Sequence, residues 1–328
     1  MAPASEPKLT NPEVGTIRAL KFSKAPGSNG NPNRALKHLP QRPVSLLVLI
    51  FSAILLTHHF PTAWKHARVI SILKPGKEQA LTSSYRPISL LDTICKLFEM
   101  ILLARNLNEV SEGGLMRDEQ FGFRPRHSTS VQLACLIERI TRNFCEKLLT
   151  DAVFLDVAKA FDTVWIDGLL YKLTLLNLPS YIVHTISWHL RGRTFVASFQ
   201  TGTPSRRGMR AGLAQNGLIS PVLFSLYIND ISPSYHVELS RYVDYTAVIA
   251  SSRKPTLFVS YLESYLNDLQ RWLSEWRIAI NVSMSSAMIF ARTGRPIQLD
   301  ETTRYLGVTL YKQVTWSPHI VQVRKKTA

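Results

Sequence analysis

Phe154 to Asp162 reads FLDVAKAFD, and Tyr242 to Tyr245 reads YVDY inside the alternating stretch Val237 to Ala250. The run AVFLD, Ala152 to Asp156, has the length and apolar character of a buried strand, and it ends on a carboxylate. The alternation around YVDY predicts a β-hairpin with Asp244 at its tip. Two acids 88 positions apart are thus delivered to strand ends. Carboxylates on neighbouring strands are able to share a pair of Mg2+ ions, because hard divalent cations take oxygen ligands and phosphoryl transfer needs both the attacking and the leaving oxygen clamped. A surface Asp held in a salt bridge is the plainer reading of either acid, and spacing by itself leaves both open.

Outward from these stretches, helices interleave with strands. On the N-terminal side lie a Gly/Pro/Asn-dense loop, Lys24 to Asn33, an apolar helix over Val44 to Thr57, and a short β-branched strand over Ala67 to Leu73. Helices follow from about Asp92 and over Thr129 to Leu148. On the C-terminal side the pattern predicts helices over Leu169–Leu176, Ile182–Leu190, Leu218–Ile231 and Leu257–Trp276. Arg-rich paired strands are expected over Arg193–Phe199 and Thr203–Arg210, with further strands over Ala287–Ala291 and Arg304–Leu310. This order predicts an α+β or α/β fold with one mixed sheet, and 328 residues favour two packed lobes over one large α/β unit.

Thirty-nine Lys plus Arg against twenty-three Asp plus Glu give a net charge of +16, which points to a polyanionic partner, nucleic acid or an anionic membrane. With 45% hydrophobic residues and a mean hydropathy of +0.01, the chain is too apolar to be disordered. Cys95, Cys135 and Cys145 match neither a zinc site nor a disulfide framework and point to a reduced, intracellular compartment, nucleus or cytoplasm; Cys135 and Cys145, in an apolar helical pattern, read as buried free thiols. No secretory signal opens the chain, and VSLLVLIFSAILLT, Val44 to Thr57, is too short to span a bilayer and reads as a buried helix.

The blocks SSYRPISLL (Ser83 to Leu91), EQFGFRPRHST (Glu119 to Thr129), FLDVAKAFD, GLAQNGLISPVLFSLYINDI (Gly212 to Ile231) and YVDYTA (Tyr242 to Ala247) occur in an order and spacing that resemble reverse transcriptases of non-LTR, LINE-type retrotransposons, nearest to the jockey group. KAPGSNGNPNRALKHLP near the start and RYLGVTL near the end extend the resemblance over nearly the whole chain. It implies an α+β, right-hand polymerase fold of fingers and palm with a central antiparallel or mixed sheet. The expected division is an extension and the start of the fingers over 1–66, fingers over 67–150, palm over 151–310 and a truncated start of a thumb over 311–328. The implied reaction is Mg2+-dependent addition of dNTPs to a DNA primer 3′-hydroxyl on an RNA template, with two Mg2+ ions on Asp156 and Asp244. Lys74 and Arg86 match residues that hold the incoming triphosphate, Phe161 the aromatic that excludes a ribose 2′-hydroxyl, and Gln215 the glutamine beside the templating base. Arg124, Arg126, Arg206, Arg207 and Arg210 would face phosphates of template and primer, with Tyr305 to Val308 near the primer terminus.

Several positions depart from the family pattern. The hairpin motif usually reads YADD, and Tyr245 stands where its second acid would be; a phenol, with an ordinary pKa near ~10, is a poor ligand for a hard cation and brings a bulky ring to the metal site. Asn216 replaces a glycine, Asn29 an aspartate, and Met284 a lysine that would protonate the departing pyrophosphate. The segment Arg292 to Thr303 looks shortened, and neither an endonuclease domain nor most of a thumb is expected. The sequence therefore supports a polymerase domain impaired by Tyr245, or a catalytically inactive nucleic-acid-binding relic of such an element.

Overall fold

The computed structural model describes residues 26–27, 29–112, 114–124, 126–197, 205–290, 302–306 and 308–311. In chain order the elements are α1 (Asn33–Lys37), α2 (Gln41–Thr57), β1 (His66–Leu73), β2 (Tyr85–Leu90), α3 (Thr93–Glu112), α4 (Thr129–Cys145), β3 (Leu149–Asp156), α5 (Ile166–Leu175), α6 (Ser180–Leu190), β4 (Thr194–Ala197), β5 (Arg206–Gly208), α7 (Ser220–Tyr227), β6 (Val237–Tyr242), β7 (Tyr245–Ser252), α8 (Pro255–Glu275), β8 (Ser286–Phe290), β9 (Thr302–Tyr305) and β10 (Val308–Tyr311). They form two compact units interleaved in sequence: unit 1 takes Met1–Leu115 and Phe161–Tyr227, unit 2 takes Met116–Ala160 and Ile228–Ala328. Among the described residues, the expected single mixed sheet is instead two four-stranded sheets, one in each unit, with the two-stranded β9–β10 hairpin.

Unit 2 carries the order β6–β7–β3–β8, antiparallel throughout. Period-2 side-chain alternation gives this sheet two faces. On one, Ala152, Phe154, Ala247, Ile249, Met288 and Phe290 pack with Leu133, Leu136 and Ile140 of α4 and with Tyr305 and Leu310 of the hairpin. Helix α4 starts where it does because the Ser128 hydroxyl accepts the Val131 N–H at 3.2 Å. The other face is covered by α8, which begins on Pro255 and buries Phe258, Leu262, Tyr265 and Leu269 at helical spacing. RYLGVTL was expected as one strand; it is the two strands β9 and β10, turned at Leu306 with φ +48.

Unit 1 has the order β2–β1–β4–β5, with β1 and β4 parallel. Its core gathers Phe51 of α2, Phe60, Trp64 and Phe98 of α3 in edge and tilted ring contacts. Helix α2 corrects one expectation: Val44, Leu47, Phe51, Ile54 and Leu55 are buried, but Leu46, Leu49 and Leu56 are exposed, so only one face is core. No described helix is long and apolar enough to cross a membrane. Cys95 is buried and its thiol is pushed well up by burial, whereas Cys135 and Cys145 are exposed, contrary to the buried thiols expected there. In α4 both lie on the side turned away from Leu133, Leu136 and Ile140.

Candidate active site

β3 and β7 pair so that Asp156 stands directly opposite Tyr245, and β6 and β7 close at Tyr242 opposite Tyr245, leaving Val243 and Asp244 as a two-residue turn. The Val157 N–H donates to the Asp244 carbonyl at 3.1 Å, tying the end of β3 to that turn. Asp156 and Asp244 are thus brought to one end of adjacent strands. Burial pushes Asp244 up to about 6, and the charge of Asp156 adds to the rise. Asp156 is itself buried and held by its neighbours: Asn281 donates Nδ2–H to its Oδ2 at 2.9 Å, and its own N–H donates to Ser285 Oγ at 3.2 Å.

These oxygens fit a divalent cation. They are hard donors from two neighbouring strands, and the ionised form of Asp244 is penalised by burial and by like charge, which a bound cation would relieve. The set is small, since no group of three or more His, Cys, Asp and Glu gathers for a metal among the described residues. Tyr245 shares a sheet face with Asp156, because directly opposed residues point the same way. It supplies no charge there, and its ring is partly buried against the hydrophobic cluster between this sheet and α4.

One prediction concerns stability without metal. A carboxyl whose folded pKa is raised holds its proton more tightly folded than unfolded, so its ionisation costs stability as pH climbs from about 4 through 6. Asp244→Asn removes that cost, about 1–3 kcal/mol, and should raise the melting temperature of the metal-free protein at pH 7 by several degrees. The gain should vanish near pH 4. Thermal melts at both pH values check this, and an equal gain at both would contradict it. Asp151, also pushed to about 6 by burial, remains in both proteins and cancels from the comparison.

The residues expected to handle the nucleotide lie in unit 1. Lys74 follows β1, its N–H donating to Ser84 O at 2.8 Å, and Arg86 is exposed on β2 opposite Ile72. Ser89, also on β2, donates its N–H to Gln215 O at 2.9 Å, and the Gln215 Nε2–H donates to Asp162 Oδ1 at 2.9 Å. Phe161 is half-buried, 5.3 Å from Phe224 between ring centres, and its carbonyl accepts the Leu213 N–H. Gly212 is required there: its φ is +88, and a Cβ would come within 2.6 Å of the Asp162 carbonyl oxygen. Asn216 stands at φ +78, a left-handed backbone that asparagine tolerates better than most residues other than glycine.

The arginines divide between the units. Arg206 and Arg207 are exposed on β5, Arg210 is exposed just after it, and Arg206 Nε donates to Thr194 Oγ1 at 3.0 Å. In unit 2, Arg126 is exposed, while Arg124 donates to the Arg117 carbonyl at 3.1 Å and lies 3.4 Å from Asp118. Tyr305 is buried, its hydroxyl bonded to Gln132 and to the Ser240 carbonyl, with burial pushing it up to about 12. Met284 is 58% exposed on the 3-10 turn that joins Asn281 to β8. Asn29 accepts the Asn31 N–H on its Oδ1, a local turn contact. The segments Arg292 to Asp300 and 312–328, where shortening and a truncated thumb were expected, lie outside the described residues.

Sequence reasoning missed Asn281, Glu99 and Gln120. Glu99 is buried, its Oε2 accepts the Leu218 N–H at 2.8 Å, and its Oε1 lies 3.2 Å from His189 Nε2. Burial alone would raise its carboxyl, but the hydrogen bond and charge of His189, with Arg193 and the Leu218 N–H, hold it below the usual range. It thereby anchors the end of the loop that carries Gln215.

Comparison with known proteins adds three findings. Residues 72–310 match the family described as reverse transcriptase (RNA-dependent DNA polymerase). The chain is 35% identical over 94% of its length to a probable RNA-directed DNA polymerase from transposon BS of Drosophila melanogaster, 33% identical over 94% to that of the mobile element jockey in the same species, and 30% identical over 99% to that of jockey in Drosophila funebris. It covers 36%, 36% and 37% of these proteins, so it spans a little over a third of their length. Among solved structures, apo telomerase from Candida tropicalis, truncated of its C-terminal domain, is similar in fold with a TM-score of 0.53 at 11% identity, over 77% of this chain and 54% of that one.

Proposed function

Because the chain belongs to the reverse transcriptase family, we propose that it is the RNA-directed DNA polymerase portion of a jockey-like mobile element, adding dNTPs to a DNA primer 3′-hydroxyl on an RNA template. The observation that carries the proposal is the meeting of Asp156 and Asp244 at adjacent strand ends, with Asp244 destabilised by burial and by its neighbour's charge. These two carboxylates would hold Mg2+, which when bound supplies positive charge for the attacking oxygen and for the departing pyrophosphate. Asn281 and Ser285 orient Asp156, so its oxygens are set before substrate arrives.

Within unit 1, Arg86 suits the triphosphate as a planar fork and Lys74 as a point charge. Gln215, fixed through Asp162 and Ser89, lines the nucleotide pocket, and Phe161, braced on Phe224, closes it against a 2′-hydroxyl. Arg124, Arg126, Arg206, Arg207 and Arg210 grip phosphates of template and primer. A nucleic-acid-binding relic without turnover is the second reading, and Tyr245 opposite Asp156 is the observation that favours it.

Primer extension on an RNA template tests the proposal. The chain should incorporate dNTPs in preference to rNTPs, and Phe161→Val should raise incorporation of rNTPs relative to dNTPs about tenfold or more. Run in the Tyr245→Asp background for signal, unchanged discrimination in the Phe161→Val variant would remove the role assigned to Phe161.

A further inference from the structure

The turn that carries Asp244 is strained. Val243 stands at φ +57, a left-handed backbone that is a genuine outlier for a β-branched residue and persists only where the surroundings hold it. Val243 is also buried, and its N–H needs an acceptor.

Gln120 supplies that acceptor. Residues 119–121 run parallel beside β6: the Arg241 N–H donates to the Glu119 carbonyl at 2.8 Å, and the Phe121 N–H donates to the Arg241 carbonyl at 2.9 Å. This sets the fully buried Gln120 side chain against the turn, where its Oε1 accepts the N–H of Gly122 at 3.1 Å and of Val243 at 3.3 Å. Gly122 closes on the same residue, since a Cβ there would lie 2.6 Å from Val243 Cγ2 and 2.7 Å from Val243 N. On the far side of the turn, the Val157 N–H holds the Asp244 carbonyl.

We infer that Gln120 is a positioning residue, whose carboxamide holds the strained Val243 turn and thereby fixes where the Asp244 carboxylate stands. The inference rests on the reading of Asp244 as a metal ligand. Gln120 reaches the metal site only through the backbone of the turn, so its removal displaces a ligand without removing one. Gln132 is a suitable comparison: it is equally buried in unit 2 and donates to Ser240 and Tyr305, but it does not touch the turn.

The experiment is a titration of the full metal-free chain with Mn2+, read by the electron spin resonance of the free ion, alongside thermal melts. Gln120→Met should weaken Mn2+ binding about 10–100-fold, the loss typical when a residue behind a metal ligand is removed. Gln132→Met should lower the melting temperature and leave Mn2+ affinity within about twofold. If Gln120→Met does not fold, Gly122→Ala decides by the same readout, because it keeps the glutamine and pushes a methyl group into the turn. Wild-type affinity in the folded Gln120 variant, or an equal loss in Gln132→Met, overturns the inference. An absence of saturable Mn2+ binding by both the wild-type chain and Tyr245→Asp overturns the metal-site reading itself, and the inference with it.

Discussion

Replacing Tyr245 by aspartate is expected to raise Mg2+-dependent extension of a DNA primer on an RNA template by about 10–100-fold or more, from a wild-type rate that is weak or undetectable. Position 245 faces Asp156 across β3 and β7, so the new carboxylate joins the face on which that acid stands. The change has a cost. The Tyr245 ring is partly buried against the hydrophobic cluster on that face of the sheet, and its loss leaves a gap beside it. Large-to-small changes in buried positions cost about 3–5 kcal/mol, and less at a position that keeps some exposure, so the variant should melt several degrees lower than wild type while extending faster. Recovery should be partial, because Met284 cannot donate the proton that a lysine at that position would give; Met284→Lys in the same background should add to the rate. Wild-type extension as fast as that of Tyr245→Asp would show that the second acid is dispensable.

Binding of an RNA–DNA primer–template should fall steeply with salt. If Arg124, Arg126, Arg206, Arg207 and Arg210 each neutralise one phosphate, the log–log slope is about −4.5 and affinity drops about 500-fold between 50 and 200 mM salt. Arg206→Ala, Arg207→Ala and Arg210→Ala together should flatten the slope by about 2.7. Arg124 is expected to contribute least, since it is already engaged with the Arg117 carbonyl and Asp118. Fluorescence anisotropy at several salt concentrations gives both slopes, and an affinity unchanged over this range would contradict the nucleic-acid surface.

What could be read in advance depended on how local the signal was. The hairpin around Asp244 announced itself because period-2 alternation on both sides of the tip is a property of a few consecutive residues, and β6 and β7 form there. Strand β3 and helix α8 were legible for the same reason. Helix α2 was legible as a helix but its solvent face was not, because Ser45 and Ser52 are a thin polar signal beside Leu46, Leu49 and Leu56, which turn outward. The hairpin of β9 and β10 passed for one strand since Leu306, a residue without turn character, takes the left-handed conformation.

Splitting one expected sheet into two is a matter of which strands find each other over long separations. β1 pairs with β4 more than a hundred residues away, and nothing in either strand names its partner. The two carboxylates were singled out by the motif blocks around them, FLDVAKAFD and YVDYTA, and not by their spacing, which left a surface salt bridge open. Their supports were not singled out: Asn281 is 125 residues from Asp156 and Gln120 is 123 from Val243, and a buried amide has no local pattern that separates it from a loop residue.

If Asp156 and Asp244 act together in RNA-templated DNA synthesis, single-turnover primer extension shows it most directly. The Tyr245→Asp chain is compared with Asp156→Asn/Tyr245→Asp on an RNA template with Mg2+ and dNTPs, thermal melts confirming that both are folded. The predicted result is templated extension by the first and a rate about a thousandfold lower in the second, the loss of several kcal/mol of transition-state charge stabilisation. Extension that survives Asp156→Asn in the folded double variant would contradict it.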